Sequence, residues 1–355
     1  MRHDVVVVGA GLGGLLASVD LAEAGLRVLV LEAARSLGGR ASTDEVGGYQ
    51  LDRGAHALFR GGPLEAALTR LGIASGVPVP SGDVGLLLGG SVRAPGPWML
   101  PRGQALAHRL ACIATYCGTP QALPGALVRR QVWRSMYNGV CYVPGGWGTL
   151  SDQLVARLLA AGGVLQLGVA ARAVDGLRVR TDAGWVMANG VVLAVPPSRA
   201  EALTGLALPA GAPAAVATRQ LVVSAAARRR CRAMVGLDVP VFASDFSAVV
   251  RLGPDAGQVW HVVHYEPDAH DVRCVVDGAL DAWSPDWQRH VLHDRWLPRM
   301  TTWAALGGGV PVGALGDGRW LVGDAYGSGH ALGDAVAASA AAAVRGMLAE
   351  VREAA

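Results

Sequence analysis

The sequence predicts an α/β fold in which a discontinuous α/β domain is interrupted by an α+β domain built on a mixed sheet. Three observations carry this. An apolar strand runs straight into a glycine-rich turn near residue 9; a second α/β stretch begins near Tyr142; and alternating apolar and polar residues after Ala214 belong to a different sheet.

The first element is a strand, Asp4 to Val8, followed by a helix from about Leu12 to Ala24 and a strand from Arg27 to Glu32, with Gly25 closing the helix. The second stretch starts with a turn at Gly145 and Gly146. It continues through a helix from about Thr149 to Leu159 and β-rich segments at Val164 to Leu167, Ala171 to Thr181 and Trp185 to Val195, where Pro196 and Pro197 close it. Residues 76–138 are rich in Pro and Gly at first and then mostly helical in pattern, as an insertion would be. Strands are expected from Ala214 to Val223 and from Ala248 to Tyr265, shaping a chamber. The chain closes with a strand at Arg319 to Val322, a glycine-rich loop and an alanine-rich helix from about Leu332 to Glu350. The expected division assigns 1–75, 139–213 and 306–355 to the first domain and 76–138 with 214–305 to the second.

The turn Gly9-Ala-Gly11-Leu-Gly13-Gly14 follows a strand and opens a helix, the setting in which GxGxxG spacing acquires meaning. Gly9 permits the tight turn, Gly11 lets backbone approach a pyrophosphate, and Gly14 lets the helix lie close on the strand. Free N–H groups and the helix dipole then meet negative charge. Glu32 ends the next strand, where a carboxylate accepts hydrogen bonds from a ribose diol and repels a 2′-phosphate. This is a Rossmann-type dinucleotide site, and the turn alone leaves NAD and FAD both open.

Composition narrows the chemistry. All 31 basic residues are arginine, which removes any mechanism that needs a lysine, such as a Schiff base. The formal charge of +3 is spread along the chain, and its compact basic run, Arg228 to Arg230, is too short for a nucleic-acid surface and reads as a solvated helix end. Five cysteines with no CxxC pair predict a reduced, cytosolic compartment and no zinc site. Val5 to Val8 is too short for a signal sequence, and Gly118, Pro120, Pro124 and Gly125 interrupt the uncharged stretch Ala111 to Val128. A peripheral, apolar membrane-contacting surface stays open as an alternative, since mean hydropathy is +0.34.

Two further segments bear on the cofactor. Ser36-Leu-Gly38-Gly39-Arg40-Ala-Ser-Thr43, with Leu51-Asp-Arg-Gly54-Ala55-His56 after it, resembles the GGR and D-x-G segments of the flavin amine oxidase and phytoene desaturase superfamily. Leu321-Val-Gly323-Asp324, followed by Gly329-His-Ala-Leu332-Gly-Asp-Ala335, resembles that superfamily's C-terminal flavin signature. The resemblance implies a GR2-like FAD-binding domain; amine oxidases of the superfamily often carry a cysteine near the C-terminus for covalent attachment, whereas the last here is Cys274, so FAD is expected to be noncovalent. It also implies roles: Arg40 on the pyrophosphate, Ala171 on the adenine, Asp324 on a ribityl or pyrophosphate-proximal oxygen, Gly54 to His56 near the isoalloxazine, and the Leu332 N–H facing flavin O2. The missing lysine and the pattern around Asp52 and Leu332 are closer to the phytoene desaturase-like branch than to amine oxidases.

The expected activity is hydride transfer from a small apolar or aromatic molecule to flavin N5, with His330 as proton-transfer candidate and Tyr326 as a second pocket residue. The alternatives are an amine or amino-acid oxidase, for which Arg219, Arg251 or Arg273 could supply a carboxylate site, and a redox-neutral isomerase or cyclase. His261 and His264 fall on opposite faces of their strand. His290 and His293 have helix-type spacing, but no second such pair supports a metal. The tryptophans at 283, 287, 296 and 303 read as core or lid packing.

Overall fold

The computed structural model describes residues 3–208, 211–306, 313–326 and 329–353. Its first sheet has six strands in the order Val164–Leu167, Val28–Glu32, Val5–Val8, Gly190–Leu193, Arg319–Leu321, Ala314–Gly316. All neighbours run parallel except the last pair. Alternation along the buried strands decides what covers each face. Val5, Val7, Val28 and Val30 meet helices α1 (Leu12–Glu23), α5 (Gly148–Ala160) and α8 (Leu332–Glu353). Val6, Val8, Leu29 and Leu31 meet a three-stranded meander at Ala173–Asp175, Arg178–Thr181 and Gly184–Met187, together with α6 (Pro197–Thr204).

The second sheet has seven strands in the order Val291–Trp303, Ala214–Ser224, Gly257–His264, Val241–Asp245, Ala233–Gly236, Val84–Leu88, Ser91–Arg93. It is mixed: Ala233–Gly236 pairs parallel with Val84–Leu88 and the other neighbours run antiparallel. Helix α7 (Val272–Trp283) covers one face through Val276, Ala279 and Leu280 against Trp260 and Val262. Smaller elements join the sheets: the hairpin Thr43–Val46 with Tyr49–Asp52, the helix α2 (Pro63–Arg70), and α3 (Gly103–Thr115) packed on α4 (Gly125–Tyr137).

Four expectations change. The segment Trp185 to Val195 divides into strands of different sheets, because Ala188 and Asn189 turn the chain between them. The Pro- and Gly-rich first part of residues 76–138 contributes strands Val84–Leu88 and Ser91–Arg93 to the second sheet, while the helical pattern that follows is met by α3 and α4. Ala248 to Tyr265 is a strand only from Gly257, and both its faces are buried, one under α7 and the other against Phe246 and Tyr265. Arg228 to Arg230 lie in a loop and no helix end, where Arg229 pairs with the buried Asp245 at 2.7 Å. Trp283, Trp287 and Trp303 are core residues, as their clustering suggested.

Of the described helices, Leu332–Glu350 is long and apolar enough to cross a membrane by composition. Its Ala337, Ala340, Ala343 and Val344 instead pack into the core beneath the first sheet, where small side chains bring it close to α1.

Candidate active site

A cavity of about 970 Å³ runs from Glu32 at the C-terminal edge of the first sheet to the underside of the second. The glycine turn forms its floor. Gly9 has φ of +104°, and a Cβ there would meet the Ala194 carbonyl oxygen at 2.5 Å; a Cβ on Gly14 would collide with the Gly9 carbonyl. Gly11, the N-cap of α1, is different. A Cβ there would come no nearer than 4.0 Å to the Gly38 carbonyl oxygen, leaving space in front of a helix N-terminus.

The GGR segment docks on this turn. The Gly38 N–H donates to the Ala10 carbonyl at 3.1 Å, and Gly11 bridges Gly38 in parallel. Glu32 accepts the N–H of Ala10 at 2.7 Å and of Ala34 at 2.8 Å, which fixes its carboxylate at the rim with acceptor sites to spare. Arg40 donates to Asp324 through two nitrogens, at 2.5 and 3.0 Å, and to the Thr302 carbonyl at 3.1 Å. Asp324 also accepts the Ala304 N–H at 3.0 Å. Gly39, Ala171 and Gly323 line the same cavity, and the Ala171 carbonyl accepts a bond from Arg199 at 2.8 Å.

Leu332 opens α8 at φ of +54°, and Tyr116 closes α3 at +51°. Both line the cavity, and a non-glycine residue held in the left-handed region marks a conformation imposed by its surroundings. The Tyr116 hydroxyl accepts the Ala55 N–H at 3.1 Å, pinning the loop Gly54 to His56 along one wall. His56 donates from Nδ1 to the Gly54 carbonyl at 3.0 Å and packs on Trp147, ring centroids 4.9 Å apart.

Behind that loop lies a buried polar cluster. Asp52 accepts from the Thr43 hydroxyl at 2.5 Å and the Trp147 N–H at 2.8 Å, and burial raises its pKa. Gln220 donates to the Asp52 carbonyl at 2.5 Å and to His261 Nδ1 at 3.0 Å, while its own oxygen accepts from Arg295 at 2.6 Å. Burial pushes His261 down to about 3, so it stays neutral.

The sequence-derived candidates separate in space. Tyr326 lines the cavity, fully buried, with its hydroxyl donated to the Val195 carbonyl at 3.1 Å; burial holds the phenol protonated. His330 is not among the described cavity-lining residues; it sits near Arg130 and Arg134 of α4, and burial followed by those charges lowers its pKa. Residues 327 and 328 of the glycine-rich loop lie outside the described residues. Arg219 is bound to Asp277 and Asp294, and Arg273 faces Asp294, so neither reaches the cavity. His290 bonds Ser224 at 3.1 Å in a short turn, while His293 stands in the strand that follows.

The far chamber was not legible in advance. Ile113, Tyr116, Phe242, Phe246, Tyr265 and Met300 form its walls from separate elements. No carboxylate lines the cavity, among the described residues, beyond Glu32 and Asp324.

Residues 7–71 match the NAD(P)-binding Rossmann-like domain family. The chain is 39% identical over 72 residues to polyamine oxidase 2 of Arabidopsis thaliana, covering 19% of this chain and 15% of that protein. It is 55% identical over 52 residues to carotenoid 3,4-desaturase of Haloarcula japonica, covering 15% of this chain and 10% of that one. The whole chain superimposes on an oxidoreductase from Methanosarcina mazei with a TM-score of 0.75 at 18% identity, covering 96% of this chain and 100% of the other. Putrescine oxidase gives 0.69 at 16% identity, with 98% and 99% covered. The chain has the fold of these two solved proteins. The family match takes in the glycine turn and the GGR segment, and the chamber walls lie outside it.

Proposed function

We propose that the chain is an FAD-dependent oxidoreductase that removes a hydride from a small apolar or aromatic substrate. The observation that carries this reading is the convergence of three cofactor segments on one cavity whose far chamber is walled mainly by aromatic and aliphatic side chains, with Arg53 and Arg299 also on the lining. The residues fit the cofactor. Space in front of Gly11 at the α1 N-terminus suits a pyrophosphate, Glu32 retains acceptor capacity for a ribose, and the cavity is continuous to the chamber.

In this reading Gly9, Gly11, Gly14, Gly38, Gly39 and Arg40 hold the pyrophosphate region, Glu32 the ribose and Ala171 the adenine. Gly323, Asp324 and Leu332 take the ribityl and ring, and Gly54, Ala55 and His56 border the isoalloxazine. Bound FAD supplies a two-electron acceptor, which no side chain of this protein provides. The protein's part is to orient a C–H bond and exclude water. Because Nδ1 of His56 is committed to the Gly54 carbonyl, its Nε2 is the lone-pair nitrogen of the neutral ring and the chamber-side candidate to accept a proton. The absence of a carboxylate from the described chamber wall disfavours a cationic amine substrate. The two sheets support assigning 1–75, 139–213 and 306–355 to the cofactor domain and the remainder to the substrate domain.

Reconstitution with FAD followed by anaerobic mixing tests the reading. Retained flavin absorbance that bleaches with apolar or aromatic panel members supports it. Protein that stays colourless after refolding with FAD sinks it, and bleaching by amines alone moves it to amine oxidation.

A further inference from the structure

Residues 84–151 contain six arginines and not one Asp or Glu, so the chain's +3 is the balance of +6 here and a net −3 elsewhere. The same stretch carries the four most exposed large apolar side chains among the described residues. These are Leu100 at 82%, Tyr137 at 67%, and Trp133 and Met136 at 61% each. Such a coincidence of apolar exposure and positive charge, of which Arg134 alone is matched by a carboxylate among the described ion pairs, is not what a solvated surface requires.

The arrangement is ordered. On α4, Arg129, Trp133 and Tyr137 follow each other at four-residue spacing with Met136 beside them, which places them along one side of the helix. Trp133 and Tyr137 stack with ring centroids 3.7 Å apart, making a rigid aromatic ridge that stands in solvent. Arg129 and Arg130 are exposed beside it, whereas Arg134 is committed to Asp334 at 2.6 Å. The short helical turn Pro97–Arg102, which bears Leu100, packs on α3, and α3 packs on α4. Arg93, at the end of the preceding strand, and Arg102, in that turn, flank the Trp98 ring at 5.9 and 6.0 Å.

We propose that the α4 ridge, with the Leu100 turn, docks on an anionic lipid surface. Aromatic side chains at such a boundary bury an apolar body while arginines meet the headgroup phosphates. A bare apolar protein partner would leave this charge uncompensated, and anionic headgroups compensate it. Leu110, Ser135 and Met136, from the same two helices, line the main cavity, so the docked face adjoins the cavity wall. The proposal stands on the surface alone and does not require the redox reading.

The test is co-sedimentation of the full chain with phosphatidylcholine vesicles, with and without about a third phosphatidylglycerol, across a salt series. Binding is expected only to the anionic vesicles, falling with salt. Each arginine near such a surface strengthens binding about fivefold, so the double change R129A/R130A should weaken partitioning about 25-fold. W133S/Y137S and, separately, L100S should each weaken it about tenfold or more, with thermal melting confirming that the variants fold. Absence of partitioning by the wild-type chain overturns the proposal, as does equal partitioning by wild type and all three variants. Self-association abolished by W133S/Y137S, in place of vesicle binding, overturns it in favour of a second copy of the chain.

Discussion

Arg40 and Asp324, 284 residues apart in sequence, meet through two charge-assisted hydrogen bonds of 2.5 and 3.0 Å at the centre of the cofactor cleft. The Asp324 side chain is 3% exposed and that of Arg40 47%, so the pair is one buried carboxylate held by a half-solvated guanidinium. Arg40→Ala leaves the carboxylate with the Ala304 N–H as its remaining bond. The expected cost is about 1–3 kcal/mol of stability, together with at least tenfold weaker FAD retention. Chemical denaturation and flavin titration measure the two separately.

Gly11 and Gly14 separate cofactor space from packing space. Gly11→Leu should leave apoprotein stability within about 1 kcal/mol, because its Cβ meets open cavity, and should abolish FAD binding. Gly14→Leu should destabilise the apoprotein by about 3 kcal/mol or more through collision with the Gly9 backbone. Equal apoprotein melting for the two would contradict the geometry.

His261 predicts a pH dependence. Its pKa is lowered from 6.5 to about 3 by burial. The folded chain therefore binds its proton less readily than the unfolded chain, and stability that is full above pH 6.5 is lost as pH falls toward 3. His3, His264 and His330, also lowered, act in the same direction. His261→Gln should flatten the decline of the unfolding free energy, read from urea titrations between pH 6.5 and 4, by about 3 kcal/mol at most.

Tyr116→Phe removes the hydroxyl that accepts the Ala55 N–H and keeps the ring. A loss of about 1 kcal/mol is expected. Turnover should fall more than stability does, since the loop it pins carries His56. A thermal melt beside steady-state kinetics reads both.

What could be read in advance follows the locality of the interactions. The strand, turn and helix at Val5 to Glu23 depend on neighbours a few residues away or on glycine positions with one steric meaning. The strand Val291–Trp303 escaped because it is polar, contains Pro298 and lies at the sheet's edge, where register shifts against Ala214–Ser224 break any clean alternation. The cofactor segments were legible for the same local reason. The chamber was not, because Tyr116 ends a helix, Phe242 sits in a strand, Phe246 and Tyr265 follow strands, and Met300 belongs to an edge; only tertiary packing assembles them. Asp52 was legible as part of its segment but its burial was not, since that depends on Trp147, 95 residues away.

The carboxylate of Asp334, 1% exposed, accepts the Leu64 N–H at 3.1 Å and Arg134 at 2.6 Å, tying α8, α2 and α4 at a single point. Swinging α4 outward would strip that buried carboxylate of its cation, a change that costs about 3–5 kcal/mol. The helix is therefore a fixed jamb and not a door. Admission to the chamber then falls to side-chain rotation at its edge, where the unbranched thioether of Met136 is the most pliable gatepost.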